Sequence, residues 1–302
     1  MINSYWWYLE LILSSDLEES IVWKFNECGI KNIAIEKTMP YFGFSILKVW
    51  LPSNDFKEND LDNLSQSIIE LGNVFNIKID RPLWKKIKDQ DWNIVWKRFW
   101  KPDIIGNKLL VLPAWLDPPD QYLNRNIIRI DPGSAFGTGS HQTTRLCLEY
   151  IENIKLDGLS ILDIGCGSGI LSLAALSLGA EKVVALDNDS LAISSAKNNF
   201  ELNNINILKN NILHGSIDVL VSKSNLEEFD LIFCNILPNI IIEMAPRFHE
   251  IVTSKGRAIL SGINVNQYND VLKVFHFYGW RLISKKEKGS WIALDLINFA
   301  NP

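Results

Sequence analysis

Little in this chain speaks for a membrane or an oxidising compartment. No apolar run reaches the ~18 residues that crossing a bilayer requires. The opening stretch, with its aromatic pairs and early acids, lacks the basic region and cleavage pattern of a secretory signal. Cysteine is scarce: Cys28, Cys147, Cys166 and Cys234 form no C-x-x-C pair. That argues against a disulfide framework and a thiolate metal site, and makes buried free thiols the expectation. Histidine is equally sparse. His141, His214, His249 and His276 show none of the i, i+4 pairing that holds zinc, so no metal is expected. An excess of positive charge is missing too. Thirty Lys and Arg against 35 Asp and Glu leave a formal net charge of −5, which argues against a broad nucleic-acid surface. WKKIKDQDWNIVWKRFWK at 84–101 is a local basic concentration within that acidic total. No solenoid-period repeat or low-complexity tract occurs. A cytoplasmic protein is therefore expected.

What is present is an ordinary globular mixture, 302 residues with 47% hydrophobic and 22% charged, enough for one large domain or two ordinary ones. WWYLELIL reads as a strand, DLEESIVWKFNECG as a helix stopped by Gly29, and IKNIAIEK as a second strand. FGFSILKVWL is again strand-like. ENDLDNLSQSIIELG is an amphipathic helix with Leu61, Leu64, Ile68 and Leu71 on one face, and NVFNIKID is expected to close the unit as a strand. The order β-α-β-β-α-β is ferredoxin-like and by itself says nothing of chemistry. This unit is assigned to residues 1–81.

Residues 82–130 carry Trp84, Trp92, Trp96, Trp100 and Trp115, with Trp92, Val95, Trp96 and Phe99 at helical spacing. Such a stripe is expected to pack as an apolar helix face or a domain joint, a stacking platform for bases being the alternative. Prolines then break the run into short extended pieces. From 131 to 302 strands alternate with helices: LSILDIG, ILSLAALSLG, KVVALDND, LAISSAKNNFELN, DLIFCNI, NIIIEMAPRFHEIV, RAILSGI. That rhythm predicts βαβ units and a parallel sheet covered on both faces. GWRLISKKEKGSWIALDLIN reads as two strands joined by a charged turn, an antiparallel pair at the sheet edge.

ILDIGCGSGILSLAAL places Gly165, Gly167 and Gly169 between a strand and a helix, where a sharp turn is expected to bring backbone N–H groups toward a ligand. Asp187 ends the next strand, roughly 20 residues on, where an acid can accept both hydroxyl protons of a ribose. The dinucleotide fingerprint would need glycine at 170, and this chain has Ile170. The turn suits proteins that bind S-adenosylmethionine, and Asp163 adds an acid usual in that group. In FDLIFCNILPN, Asn235 falls at the carboxyl end of an apolar strand. Capping the next helix is one reading of it. The other is that its amide carbonyl accepts a hydrogen from an incoming amine, which a carboxylate would bind too tightly as the ammonium.

These residues resemble the ribosomal protein L11 methyltransferases over nearly the whole chain. The likeness is most specific in DPGSAFGTGSHQTT, LDIGCGSGILSLAALSLGA, LDND, CNIL and LSGI, with DW…W…F and LLVLPAW in the same order. Ser134, Ser140, Gln142 and Asn188 depart from the residues expected there. The resemblance implies a class I S-adenosylmethionine-dependent methyltransferase domain (α/β, Rossmann-like, seven-stranded and mostly parallel) at 131–302. It also implies a smaller α+β ferredoxin-like domain that recognises the substrate, and a mobile linker. Position by position, Thr144, Gly165, Asp187 and Asn235 match the family's cofactor contacts, Asn235 also being the catalytic candidate. The glycine-rich loop at 131–144 would fold over the cofactor with Phe136 shielding the sulfonium, and His141 is read as structural. The implied acceptors are lysine ε-amines and the terminal α-amine of ribosomal protein L11, free or on the ribosome. An RNA or small-molecule methyltransferase is the alternative. A monomer without membrane or direct nucleic-acid recognition is expected.

Overall fold

The computed structural model describes residues 5–14, 16–37, 43–88, 100–131, 139, 141–205, 212–221 and 228–299. The chain divides into two compact units, one built from Met1–Lys101 and one from Pro102–Pro132 with Gly137–Pro302. The tryptophan stripe at 92–99, and Phe136 with most of its loop, lie outside the described residues.

In the first unit, β1 (Tyr5–Ser14), β2 (Ile33–Lys37), β3 (Phe44–Pro52) and β4 (Lys85–Lys88) form an antiparallel sheet ordered β2-β3-β1-β4. Helices Glu18–Glu27 and Glu58–Val74 supply Ile21, Phe25, Leu61, Leu64 and Ile68 to a core with Leu9, Leu13, Leu47 and Val49. The expected closing strand at 73–80 is corrected. The helix runs on to Val74, Asn76 turns the chain at φ 56°, and the Ile77 N–H bonds the Gly72 carbonyl at 2.8 Å, so this stretch serves as the helix stop. Its apolar residues Phe75, Ile77 and Ile79 still pack on the core, which is why they mimic a strand pattern. The strand is KKIK, whose register sets Tyr5 against Lys88 and Trp6 against Ile87. Its lysines suit an edge, where they discourage pairing with another chain.

The second unit holds a small sheet and a large one. β5 (Asp103–Ile105), β6 (Leu109–Pro113) and β7 (Asn126–Ile130) make a three-stranded sheet where only short extended pieces were expected. The large sheet is β8 (Ser160–Ile164), β9 (Lys182–Asp187), β10 (Ile212–His214), β11 (Phe229–Asn235), β12 (Val252–Asn264), β13 (Trp280–Lys288) and β14 (Trp291–Asn298). Their order is β10-β9-β8-β11-β12-β14-β13. The first five named in that order are parallel; β14 runs antiparallel to both β12 and β13, as the two-strand reading of the end predicted. Leu162, Ile232, Leu260 and Leu294 are fully buried at its centre. Progress along the chain goes one way from β8 through β9 to β10 and the other way from β11 to β12. The reversal opens a crevice at the carboxyl ends of β8 and β11, where α/β sheets of this kind bind ligands.

Candidate functional site

The crevice is floored by the turn Gly165–Gly169, between β8 and the helix Ile170–Ser177. Gly165, Gly167 and Gly169 all sit at positive φ, 70°, 54° and 79°. A Cβ on Gly165 would stand 2.3 Å from Ile236 Cγ2, so only glycine lets β8 and the end of β11 approach this closely. One expectation needs correcting. Four of the turn's five N–H groups are turned inward: Gly165 and Cys166 donate to the Leu186 carbonyl at 2.8 and 2.9 Å, Gly167 to Asp187 Oδ2 at 2.9 Å, and Gly169 to the Cys166 carbonyl at 2.8 Å. These donors stitch the turn to the end of β9. What it offers a ligand is bare backbone, consistent with a ligand that has no pyrophosphate.

Two acids frame the turn. Asp187, at the tip of β9, accepts from Gly167 N through Oδ2 and from Asp189 N through Oδ1, both at 2.9 Å. The Asn188 N–H also bonds this carboxylate, and its two oxygens together still have acceptor capacity for a further donor. Burial pushes its carboxyl above the usual range, while the N–H groups of Asp189 and Gly167 hold it back. Asp163 is fully buried; its Oδ2 accepts from Ser172 N at 3.2 Å and Ser172 Oγ at 2.6 Å, which anchors the helix after the turn. Its Oδ1 is buried with no hydrogen-bond partner among the described residues, and burial lifts this carboxyl to about 7. Cys147, Cys166 and Cys234 are buried free thiols, all held protonated by burial; Cys28 is exposed, contrary to the expectation for all four.

Asn235 ends β11, one residue past the Cys234–Ile164 pair that joins β11 to β8. Its Nδ2 donates to Thr144 Oγ1 at 3.4 Å, and its Oδ1 is buried without a partner among the described residues. The helix Pro238–Phe248 is capped at Leu237 with no side-chain bond, so the helix-capping reading of Asn235 falls. Thr144 belongs to the helix Gln142–Ile151 and is 1% exposed. His141 caps that helix, its Nδ1 accepting from Thr143 N at 3.3 Å, and its ring meets Trp291 edge-on. That is the structural role expected of it. On the far side of Asn235, Gly262 takes φ 79° in β12 because a Cβ there would lie 2.2 Å from the Ile236 carbonyl oxygen. The sheet thus brings Gly165, Asp187 and Asn235 to three neighbouring strand ends, with Thr144 bonded to the last.

The sequence matches the family model described as ribosomal protein L11 methyltransferase over residues 5–298. The chain belongs to the ribosomal protein L11 methyltransferase family. The ribosomal protein L11 methyltransferases of Prochlorococcus marinus strains MIT 9313 and MIT 9303 are 41% and 42% identical to it over 291 residues, 96% of this chain and 96% of each relative. A crystal structure of ribosomal protein L11 methylase from Lactobacillus delbrueckii subsp. bulgaricus is similar at a TM-score of 0.59 and 32% identity, covering 65% of this chain and 98% of that one. The large sheet of this L11 methyltransferase family member is accordingly that of a class I S-adenosylmethionine-dependent methyltransferase.

Sequence reading missed two parts of this family member's site. The bond from Asn235 to Thr144 spans 91 positions, and nothing local announces it. Asn199, fully buried, donates to the Ser168 carbonyl in the turn at 2.9 Å. It stands in AKNNFELN, where a polar residue on the buried face of a helix was a usable signal.

Proposed function

We propose that this protein transfers methyl groups from S-adenosylmethionine to lysine ε-amines and the terminal α-amine of ribosomal protein L11. The observation that carries the reading is the buried Asn235 carbonyl oxygen, left without a partner at the mouth of the glycine turn while its own NH2 is engaged by Thr144. A buried acceptor without a donor costs free energy unless a ligand supplies one.

The residues present fit the methyl donor. Asp187, at the tip of β9, keeps acceptor capacity on its carboxylate for ribose hydroxyls. Gly165 leaves backbone where a side chain would stand. Bound there, S-adenosylmethionine supplies a methyl group already activated by positive sulfur. The protein's share is then alignment and exclusion of water. Asn235 Oδ1 accepts an N–H from the incoming amine, and Thr144 keeps the amide from turning over. A lysine, with an ordinary pKa near 10.4, has to arrive neutral, and burial next to positive charge lowers that value. No acid or base on the protein is required to attack.

The amino-terminal unit, placed at 1–81 on the sequence with a tryptophan-rich linker and the start of the catalytic domain at 82–130, is read as the substrate-recognition domain, and Thr144, Gly165, Asp187 and Asn235 as the cofactor contacts. No helix among the described residues is long and apolar enough to cross a membrane. The protein is read as a cytoplasmic monomer. The test is incubation of the purified protein with S-adenosylmethionine carrying a labelled methyl group and a cell extract that lacks the enzyme. Label is expected in ribosomal protein L11, located by mass spectrometry to lysines and the terminal amine. Label in RNA or in a small molecule would overturn the reading.

A further inference from the structure

The helix Ser190–Leu202 does more than cover the sheet. At its amino end Asp189 caps the helix by accepting from Leu191 N at 2.8 Å, and the Asp189 N–H bonds Asp187 Oδ1. At the other end two asparagines one turn apart, Asn199 and Asn203, reach β7, the outer strand of the three-stranded sheet. Asn203 Oδ1 accepts from Arg129 N at 2.8 Å and its Nδ2 donates to Arg129 O at 2.7 Å, so a side-chain amide replaces the missing neighbour strand. Asn199 Oδ1 accepts from Asp131 N at 2.9 Å, and its Nδ2 donates to Ser168 O at 2.9 Å. Both partners of Asn199 are main-chain groups, which settles the end that carries oxygen.

Asn203 thus holds β7 itself through a pair of bonds to Arg129, Asn199 holds the residue just past it through one bond to Asp131, and the two differ in what else they hold. Asn203 serves the strand edge. Asn199 spans from the glycine turn to Asp131, the residue at which β7 passes into DPGSAFGTGSHQTT. One buried amide thus sets the floor of the crevice against the start of the segment leading to Thr144, and the cap of its helix, Asp189, bonds the acid at that floor, Asp187.

We infer that Asn199 is a positioning residue for methyl-donor binding, holding the Gly165–Gly169 turn in register with the strand that enters the 131–144 segment. It touches no reacting atom and acts through Ser168 and Asp131. The inference rests on the function proposed above and goes beyond it, since Asn199 carries no motif glycine, acid or amide of the site.

The test compares Asn199→Ala with Asn203→Ala in the full chain. Each loses side-chain bonds to the main chain at β7 or one residue past it, Asn203 two to Arg129 and Asn199 one to Asp131, so a merely structural role gives both the same pattern: lower thermal midpoints and S-adenosylmethionine affinities that move together or not at all. The expected result is a split. Calorimetry should show S-adenosylmethionine Kd raised about tenfold or more in Asn199→Ala and within about twofold of wild type in Asn203→Ala, as loss of a buried hydrogen-bonded link at the site requires. With ribosomal protein L11 as acceptor, KM for S-adenosylmethionine should rise while kcat at saturation stays within about twofold, because Asn235 and Thr144 are untouched. Asn199→Asp keeps the acceptor for Asp131 N but sets a carboxylate oxygen against the Ser168 carbonyl in place of the donor; it is measured in parallel and should lose affinity with the alanine variant. Wild-type affinity in either Asn199 variant, or equal losses in Asn199→Ala and Asn203→Ala, would overturn the inference. Wild-type protein that binds S-adenosylmethionine but leaves ribosomal protein L11 unmodified would overturn the proposed function instead, and the binding comparison would still decide the role of Asn199.

Discussion

Replacing Gly165 by alanine isolates the feature on which the crevice depends. Two costs add. The backbone stands at φ 70°, a left-handed conformation that costs a residue with a Cβ about 1–2 kcal/mol. The new methyl would also lie 2.3 Å from Ile236 Cγ2, an overlap that cannot persist, and relief of such overpacking typically costs about 1–3 kcal/mol. The sum is about 2–5 kcal/mol. For a unit of this size each kcal/mol moves the thermal midpoint by roughly 2–4 °C, so a loss of at least about 4 °C is expected. The two costs separate in a double-mutant cycle. Ile236→Ala removes Cγ2 and leaves only Cβ, at 3.8 Å, near the new methyl. Gly165→Ala should therefore cost about 1–3 kcal/mol less in the Ile236→Ala background, with the backbone part still unpaid. Urea unfolding of the four proteins measures both. Purely additive losses, or a Gly165→Ala protein as stable as wild type, would refute the close-approach explanation of this glycine.

Asp187→Ala should weaken S-adenosylmethionine binding by about 3 kcal/mol, roughly a hundredfold in Kd, since two hydrogen bonds to a charged acceptor go at once; calorimetry with unchanged affinity would reject the ribose assignment. Asn235→Ala should lower turnover by something on the order of 100-fold through loss of amine alignment, and normal methyl transfer would remove this residue from the mechanism. Asp163 makes a pH prediction. Its folded carboxyl lies at about 7, above the roughly 3.9 of an unfolded chain, so between those values the folded state keeps a proton that the unfolded state has released. Stability contributed by this group is thus full below about pH 4, falls as pH rises toward 7 by a span on the order of 4 kcal/mol, and is flat above. In Asp163→Asn that slope should flatten; urea unfolding across the same pH range with an unaltered slope would show that the group does not titrate this way.

What sequence reading could reach was whatever the physics makes local. In IGCGSG the glycines, the strand before them and the helix after them lie within one short window, and the conformations they need are visible in residue type alone. Asp187 and Asn235 were legible for the same reason, each ending a short apolar strand. The closing strand of the first sheet was not. NVFNIKID carries the apolar residues and KKIK carries the lysines, but pairing with β1 is a hydrogen-bonding decision that an exposed edge strand makes without an apolar face.

By itself, then, the sequence determined the alternation of strand and helix, the glycine turn, the acid after it and the amide at the end of β11, because periodicity and backbone permissiveness act over a few neighbouring residues. Only the tertiary structure decided that three of the turn's N–H groups are spent on Leu186 and Asp187, that Thr144 holds Asn235 across 91 positions, that Asp163 is buried deep enough to keep a proton near neutrality, and that Asn199 joins the turn to Asp131 at the end of β7. Each of those rests on which groups are brought together and dried out by burial, and desolvation is a property of the packed chain that no stretch of it possesses alone.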